Sequence, residues 1–226
     1  MHWTEHTCKA FTLSYDDGVE SDLHLLELLQ TYGVKCTFNL NSGLGAESCW
    51  DYQGFPVRRL DLANNIHRYA GHEIAVHGSR HLDPTQLSAG ELESEFTADK
   101  AALTKLCGTE PVGAAYAYGA YNDRVVEKLH SIGIKYCRTV EPSHAFVPQT
   151  DLLRFRPTCH HKDEALMPLL ERFLALPDEG TPQIFYLWGH SYEFDGDGNW
   201  DLLERVLERV AGRKDVFLGT NREVLL

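Results

Sequence analysis

Five side chains that could bind a metal or transfer protons follow apolar segments of this sequence. Two adjacent carboxylates, Asp16 and Asp17, come after the first apolar run and precede a glycine. His77 and His81 follow another run and are four residues apart, which places both on one face if the segment is a helical turn. His190 follows a late apolar run. Two neutral imidazoles and one carboxylate would make a three-ligand metal site with open positions for water and substrate.

The remaining carboxylate and histidine would complete a hydrolytic site. A metal lowers the pKa of its water and polarises a carbonyl, a free carboxylate accepts a proton from the water, and a histidine across the pocket protonates the leaving group. Each feature has a simpler explanation alone, because Asp-Asp-Gly is common in turns and a histidine after a strand can be an ordinary core residue. Together, the five groups favour a catalytic site.

The elements that must position these groups alternate along the chain. Short apolar runs predict strands at residues 10–15, 34–40, 73–77, 112–118, 133–140, 183–188 and 216–219. Amphipathic stretches predict helices at residues 21–32, 57–69, 88–106, 123–131, 166–176 and 200–211. Gly33 is placed to end the first helix, and Ser88 with Glu91 is a capping-box signature for the third. The glycine-rich residues 41–56 are expected to be irregular.

Strands that alternate with helices pair in parallel through right-handed crossovers. The number of units predicts a closed or nearly closed β/α barrel in a single domain that spans residues 1–226, and an open doubly wound sheet is the alternative. In β/α barrels the chemistry lies at the carboxyl ends of the strands. The five candidate groups fall at those ends, and so do Tyr118 and Arg138.

Composition and charge limit the classes of partner that we expect for this chain. The chain has 21 basic and 33 acidic residues, a formal net charge of −12, so we expect no nucleic-acid partner because a phosphate backbone would be repelled. We expect no membrane span, since no run of about 18 apolar residues occurs. The N-terminal residues lack the apolar core of a signal peptide, which predicts a cytoplasmic location. The six cysteines show no CxxC spacing, and most are expected to be reduced and buried.

Four segments, in order, resemble the motifs of NodB-homology polysaccharide deacetylases (carbohydrate esterase family 4). Residues 11–18 (FTLSYDDG) are similar to the first motif, usually written TFDDG, and residues 77–81 (HGSRH) resemble the second, a His-x-x-x-His pair. Residues 116–119 (YAYG) are similar to the third motif, and residues 187–190 (LWGH) to the fifth. The four segments extend over most of the chain, and their combination is far more specific than any one of them.

The resemblance implies a distorted (β/α)₇ barrel that contains one divalent transition metal, with zinc the first expectation and cobalt, nickel or iron the alternatives. It also implies the role of each site residue. These are Asp16 as general base, Asp17, His77 and His81 as metal ligands, His190 as general acid, and the backbone N–H of Tyr118 as a donor to the tetrahedral oxyanion.

The sequence departs from the family pattern in its third and fourth motifs. The arginine that normally begins the third motif and orients the base is replaced by Ala115, and the proline of that motif by Ala117. The fourth motif, a carboxylate and a tryptophan that tune the catalytic histidine, is not recognisable. We hypothesise that Arg138 supplies the missing guanidinium to Asp16; the alternative for Arg138 is an ordinary surface ion pair.

Several further residues are candidates for substrate contact. Aromatic side chains around His190 could stack on a sugar ring, and a histidine-rich loop at residues 157–161 could line the pocket. The predicted substrate-binding residues are Trp188, His160, Tyr121 and Asn41, with Tyr192 and Phe194 as additional aromatic candidates. Trp188 could equally be a core residue, and His160 could equally cap the helix that follows it.

Three functions are compatible with these features. The favoured one is hydrolysis of an acetamide or acetate ester on a carbohydrate. The second is hydrolysis of a small cyclic amide, as in allantoinase-like or imidase-like relatives, which often lack the full metal set. The third is a noncatalytic carbohydrate-binding barrel that keeps its metal, although Asp16 and His190 would not be needed for binding alone. The sequence gives no indication of oligomeric state.

Overall fold

The architecture is a curled parallel sheet with helices outside it. The computed structural model describes residue 3, residues 7–178 and residues 180–226. Its strands are β1 Lys9–Asp17, β2 Thr37–Leu40, β3 Cys49–Tyr52, β4 Phe55–Arg58, β5 Glu73–Val76, β6 Gly113–Ala115, β7 Tyr136–Arg138, β8 Cys159–His160, β9 Gln183–Gly189 and β10 Phe217–Leu218. The main sheet has the order β7-β6-β5-β2-β1-β9-β8, and β10 pairs with the start of β1.

Every pairing in the main sheet is parallel, and its two ends approach each other through residues 155–160. Phe155 exchanges backbone hydrogen bonds with the β7 segment, donating to Cys137 and accepting from Thr139. Four residues later β8 pairs with β9. The prediction of a distorted (β/α)₇ barrel is confirmed, and the open doubly wound sheet is not.

The helices surround the strands and bury their apolar faces against them. They are α1 Asp22–Tyr32, α2 Leu62–Asn65, α3 Ala89–Cys107, α4 Asp123–Ser131, α5 Leu166–Leu174, α6 Ser191–Asp197, α7 Trp200–Val210 and α8 Asn221–Leu225. The predicted end of α1 at Gly33 is confirmed by its left-handed φ of 66°. The predicted capping box of α3 is also present, with Ser88 and Glu91 bonded in both directions.

The prediction of a helix over residues 57–69 is wrong in its first part. Residues 49–58 instead form an antiparallel hairpin, β3–β4, whose turn uses Gln53 and Gly54 at positive φ. Helix α2 begins only after Asp61, whose side chain accepts the N–H of Asn64. A 3₁₀ turn, Ile66–Tyr69, follows. The sequence pattern also missed β8, α6 and α8.

The register of the sheet brings the candidate catalytic and metal-binding residues to the same end of the barrel. Asp17 pairs with Leu40, Leu40 with Val76, and Val76 with Ala114. Since neighbours in a parallel sheet run in the same direction, the residues just beyond these pairs all emerge at one end of the barrel. His77 follows Val76 directly, and β9 ends one residue before His190. The predicted gathering of strand-end groups is therefore a consequence of the register.

Four of the six cysteine side chains, those of Cys8, Cys36, Cys137 and Cys159, are buried, and no disulfide joins any pair among the described residues. The burial of these four side chains agrees with the expectation of mostly buried thiols. Within the part of the chain that the structure describes, no helix has the length and apolar character needed to cross a membrane.

We predict that the buried Lys9 contributes more to stability than an exposed lysine. Its ammonium group, 1% exposed, lies 2.8 Å from Asp215 Oδ2 and donates to the carbonyl oxygens of Leu174 and Leu176. Lys9→Met should lower the free energy of unfolding by about 2–3 kcal/mol, because it leaves these acceptors without their donor. Lys35→Met, which breaks an exposed ion pair with Glu223, should cost less than about 1 kcal/mol. Chemical denaturation measures both, and equal small losses would contradict the prediction.

Candidate active site

A cavity of about 690 Å³ opens at the carboxyl end of the barrel. Its wall contains all five groups that the sequence singled out, namely Asp16, Asp17, His77, His81 and His190. Aromatic and basic side chains complete the wall, among them Trp50, Arg59, Arg80, Tyr118, Trp188 and Tyr192. The cavity therefore combines a cluster of polar groups with aromatic side chains, as small-molecule sites do.

Three of these groups converge as a metal-binding set would. Asp17 Oδ1 lies 3.5 Å from His81 Nε2 and 3.9 Å from His77 Nε2, and the three ligand atoms are all within 4.8 Å of one another. The Nδ1 of His77 is 2.9 Å from the carbonyl oxygen of Ala115. Because a carbonyl only accepts, Nδ1 carries the proton and Nε2 presents its lone pair to the site.

The protonation states fit the same purpose. Burial lowers the pKa of His77 below its ordinary value and that of His81 to about 4. Burial alone would raise the pKa of Asp17, but Arg59 and the nearby imidazoles lower it to about 2. Asp17 Oδ1 is moreover buried without a hydrogen-bond partner. Two neutral imidazoles beside an ionised, unsatisfied carboxylate oxygen fit a divalent transition metal.

The backbone is held in an uncommon conformation at three points of the cavity wall. Asp17, His81 and Tyr118 have φ values of 87°, 53° and 58°, in the left-handed region that favours glycine. Such conformations cost free energy and persist only where surrounding contacts enforce them. At Asp17 the turn lets its carboxylate enter the cavity beside that of Asp16, although adjacent side chains on a regular strand point apart.

Asp16 has partners of its own. Its Oδ1 accepts the amide of Asn39 at 2.7 Å, and its Oδ2 accepts a hydrogen bond from Arg138 Nη2. The Arg138 side chain is 1% exposed and its guanidinium lies over the ring of Trp188, with Cζ 4.0 Å from the ring centroid. Burial would raise the pKa of Asp16, but Arg138, together with His77 and His190, holds it below its ordinary value. The contact that the Arg138 hypothesis requires is present, and the alternative of a surface ion pair does not apply to so buried a side chain.

His190 is held between two sets of carboxylates. Its Nδ1 lies 3.1 Å from Glu193 Oε2, and its Nε2 lies 4.0 Å from Asp16 Oδ2 and from Asp17 Oδ2. Burial disfavours the charged imidazole, but the hydrogen bond to Glu193 and the two aspartates raise the pKa of His190 above its ordinary value. His190 can therefore hold a proton on Nε2, facing the cavity.

Glu193 is a residue that the sequence reasoning missed. Besides His190, its Oε2 lies 3.1 Å from His160 Nε2 and 3.2 Å from His161 Nε2, and these neighbours hold the pKa of Glu193 well below its ordinary value despite burial. Its carboxylate contacts the imidazole of His190, whereas the carboxylate expected from the fourth motif is not recognisable in the sequence. The available signal was its position three residues after His190, the spacing of a capping box at the start of α6.

His160, His190 and Glu193 are close enough to suggest a second metal set. The tautomer of His160 argues against it. The backbone N–H of Lys162 donates to His160 Nδ1 at 3.1 Å, so the lone pair is on Nδ1 and the proton on Nε2. Nε2 then donates to Glu193 and is not free to bind a cation. We interpret this cluster as a hydrogen-bonded carboxylate that orients histidines.

The structure places two aromatic candidates for substrate contact, and Tyr118, on the cavity. Trp188 and Tyr192 line it, although each is at least nine-tenths buried and Trp188 has one face against Arg138. Tyr118 also lines it and is 69% exposed, with its ring 4.5 Å from that of His81. Tyr118 is thus well exposed for contact with a bound ligand, although the sequence assigns a role only to its backbone N–H and none to its side chain.

The other candidates for substrate contact lie outside the cavity wall. His160 bonds to Glu193 behind His190, Tyr121 stacks on Tyr116 at 4.9 Å, and Phe194 is fully buried in the core. Asn41 is 1% exposed and uses its amide for hydrogen bonds beneath the cavity. Their polar or aromatic character has a structural explanation, so the predicted substrate contacts at these positions are not supported by their placement.

The second guanidinium of the site, Arg59, was also missed. It follows the β3–β4 hairpin, is 5% exposed, and has Nη1 3.2 Å from Asp17 Oδ1. Trp50 of the same hairpin covers it, with 5.0 Å between Arg59 Cζ and the ring centroid. The sequence offers little signal for Arg59, because its pattern predicts a helix over residues 57–69 and the inward direction of the side chain depends on how the hairpin packs.

Comparison with known proteins identifies the class. Residues 4–137 match the family described as polysaccharide deacetylase, and the chain belongs to that family. A chitin deacetylase from Pestalotiopsis sp. is 34% identical over 124 residues, which cover 54% of this chain and 39% of that protein. The chain thus matches about two fifths of the length of this relative.

Solved structures share the fold. A family 4 carbohydrate esterase from Streptomyces lividans, in complex with acetate, superposes with a TM-score of 0.62 at 18% identity, covering 94% of this chain and 93% of that one. A family 4 pseudoenzyme from Bacillus anthracis gives a TM-score of 0.57 at 15% identity, covering 96% and 66%. Because the fold occurs in an esterase and in a pseudoenzyme, the function of this chain must be argued from its own side chains.

We predict that Arg138→Met lowers turnover and leaves metal affinity nearly unchanged. Without the guanidinium the pKa of Asp16 should rise, so less of the ionised base is present at neutral pH. A decrease in kcat/KM of about 10²-fold or more is expected, the usual contribution of a general base. Arg154→Met, which removes a half-buried arginine outside the cavity that pairs with Asp123, is the control and should leave turnover unchanged. Wild-type turnover by Arg138→Met would refute the assignment.

We predict that Glu193→Gln moves the alkaline limb of the pH–rate profile to lower pH. The carboxylate stabilises the protonated imidazole of His190, so its neutralisation should lower the pKa of that group. The protonated acid would then be lost at a lower pH as the pH rises, and rates above neutrality should fall first. The measurement is kcat from about pH 5 to 10, with Glu164→Gln, a change outside the cavity, as control. An unshifted alkaline limb would remove Glu193 from this role.

Proposed function

We propose that this chain is a metal-dependent deacetylase that hydrolyses acetyl groups, N- or O-linked, on a carbohydrate. The proposal rests on one observation: the two adjacent carboxylates have different neighbours. Asp17 Oδ1 lies near Nε2 of both His77 and His81, whereas the two oxygens of Asp16, one of them 3.8 Å from His77 Nε2, accept hydrogen bonds from Arg138 and Asn39. We infer that Asp17 is available to bind a cation and that Asp16 stays ionised beside it.

The residues that would hold the metal are Asp17, His77 and His81. A bound divalent transition metal, zinc first and cobalt, nickel or iron as alternatives, would supply the Lewis acidity that polarises a carbonyl and activates water. Asp17 contributes charge, and the two imidazoles contribute neutral nitrogen donors. His77 is fixed in its tautomer by the Ala115 carbonyl, which prevents the ring from turning its proton toward the site.

The remaining groups move protons and stabilise charge. Asp16, kept ionised by Arg138, accepts a proton from the attacking water. His190, with its Nε2 facing the two aspartates and its Nδ1 on Glu193, protonates the leaving amine or alcohol. The backbone N–H of Tyr118, another residue of the cavity wall, is proposed to donate to the developing oxyanion.

The carbohydrate substrate is supported by family membership and by the cavity walls. Deacetylation of carbohydrate is the activity in the family's description, and the chitin deacetylase relative carries the same activity in its name. Trp50, Tyr118 and Tyr192 line the cavity, with Tyr118 69% exposed, and aromatic rings stack on the apolar side of pyranose rings. A noncatalytic barrel would have no use for an ionised Asp16 and a proton-bearing His190 facing one another.

We predict that acetate release requires the metal and Asp16 separately. The protein stripped with a chelator should be inactive on acetylated chito-oligosaccharides and acetylated xylo-oligosaccharides, and Zn²⁺ or Co²⁺ should restore activity. Asp17→Asn should lose metal and turnover together. Asp16→Asn should retain metal and lose turnover by about 10²-fold or more.

Asp51→Asn, an exposed change on the hairpin, is the matched control and should behave as wild type. Full activity after chelation, or wild-type turnover by Asp16→Asn, would contradict the proposal. A cyclic amide is included in the substrate panel. Metal binding with hydrolysis of that amide alone would replace the sugar substrate, and metal binding without any turnover would favour a binding protein.

A further inference from the structure

Arg59 occupies a position that a metal site would not obviously tolerate. Its Nη1 lies 3.2 Å from Asp17 Oδ1, the oxygen proposed to bind a cation, and the guanidinium is almost fully buried. A permanent positive charge there opposes the binding of a second one. If a cation binds here, Arg59 must also contribute something that favours its binding. The hydrogen bonds of Arg59 indicate what that contribution is.

The two protons of Arg59 Nη1 are directed away from the metal-binding oxygen. One is donated to the backbone carbonyl oxygen of Asp17, and the other to Asn41 Oδ1 at 2.5 Å. Asp17 Oδ1 consequently has a cation nearby but receives no hydrogen bond, which accounts for its being unsatisfied. Arg59 thus holds the main chain of Asp17 and leaves its carboxylate available.

Asn41 extends the same chain of hydrogen bonds to the second ligand segment. Its Nδ2 donates to the carbonyl oxygens of His77 and Gly78, at 2.9 and 2.6 Å. The amide is therefore fully used, with its oxygen accepting from Arg59 and both its protons donated. One continuous path, from Asp17 through Arg59 and Asn41 to His77, joins the turn after β1 to the turn after β5.

These turns need external support. Asp17 has a φ of 87° and Gly78 a φ of 81°, so both ligand-bearing turns leave the regular strand geometry just where the ligands are presented. The carbonyl groups at such a break need donors other than the sheet ladder. Arg59 and Asn41 are those donors, and both are buried where water cannot replace them.

We propose that Arg59 and Asn41 form a positioning clamp that sets the separation of Asp17 and His77 for a shared divalent cation. The inference rests on the proposed function, because it requires that these residues bind a metal. The clamp favours cation binding by fixing the ligands, whereas the charge of Arg59 opposes it. Substitutions that separate geometry from charge distinguish the two effects.

The test measures the dissociation constants of Zn²⁺ and Co²⁺, by competition with a chromogenic chelator, for wild type, Arg59→Lys, Arg59→Met and Asn41→Ala. All three variants should bind about 10- to 100-fold more weakly, the range found when residues that orient metal ligands are removed. The visible absorption spectrum of the Co²⁺ form should also change, because it reports ligand geometry. The double variant Arg59→Met with Asn41→Ala should lose less than the sum of the two single losses, since both act through one path.

Val206→Ala is the control for stability. It removes the two buried γ-methyl groups of a valine in α7, away from the cavity. It should lower the melting temperature without changing metal affinity or the Co²⁺ spectrum. Tighter binding by Arg59→Met would show that charge dominates and would overturn the clamp. So would unchanged affinity and spectrum in Arg59→Lys and Asn41→Ala.

The outcome for wild type separates the two proposals. A wild-type protein that binds metal, with variants that bind equally well, removes the clamp and leaves the proposed function in place. A wild-type protein that binds neither ion removes the proposed function, and the clamp with it.

Discussion

The site depends on keeping two adjacent carboxylates ionised in a buried cavity. Burial alone would raise the pKa of both groups, and each would also disfavour the ionisation of the other. The structure solves this with two buried guanidinium groups, Arg138 against Asp16 and Arg59 against Asp17. Each arginine is covered by a tryptophan, so the charges are compensated by side chains and not by solvent. The barrel register then supplies the neutral histidines around this charged centre.

The chemical groups at the strand ends could be predicted because parallel strands deliver their carboxyl ends to one face. Asp16, Asp17, His77, His81 and His190 needed only the order of strands and the direction of pairing. Arg138 could be proposed for the same reason, since it ends β7. The direction in which each side chain enters the cavity depends on backbone turns such as the one at Asp17. The positive φ of Asp17 could not be predicted from the hydrophobic periodicity.

The residues that sequence reasoning missed come from elements that a strand–helix pattern does not contain. Arg59 enters the site because the hairpin of residues 49–58 packs against α6 and Arg59 itself bridges Val19, just beyond β1. Its short antiparallel strands lie in and beside a glycine-rich segment that gives no strand signal. Glu193 reaches His190 from the first turn of α6, which was not recognised as a helix. The sequence predicts that Asn41 contacts a substrate. An amide side chain can instead form hydrogen bonds with main-chain groups, and only the packed structure shows which of the two it does.

The central claim is that one cation is held by Asp17, His77 and His81 while Asp16 stays outside its ligand set. The most direct measurement is anomalous diffraction at the cobalt or zinc absorption edge from crystals of the metal-loaded protein. A single strong peak is expected between Asp17 Oδ1, His77 Nε2 and His81 Nε2, with Asp16 still bonded to Arg138. A peak at the His160, His190 and Glu193 cluster, or a metal bound by Asp16, would contradict it.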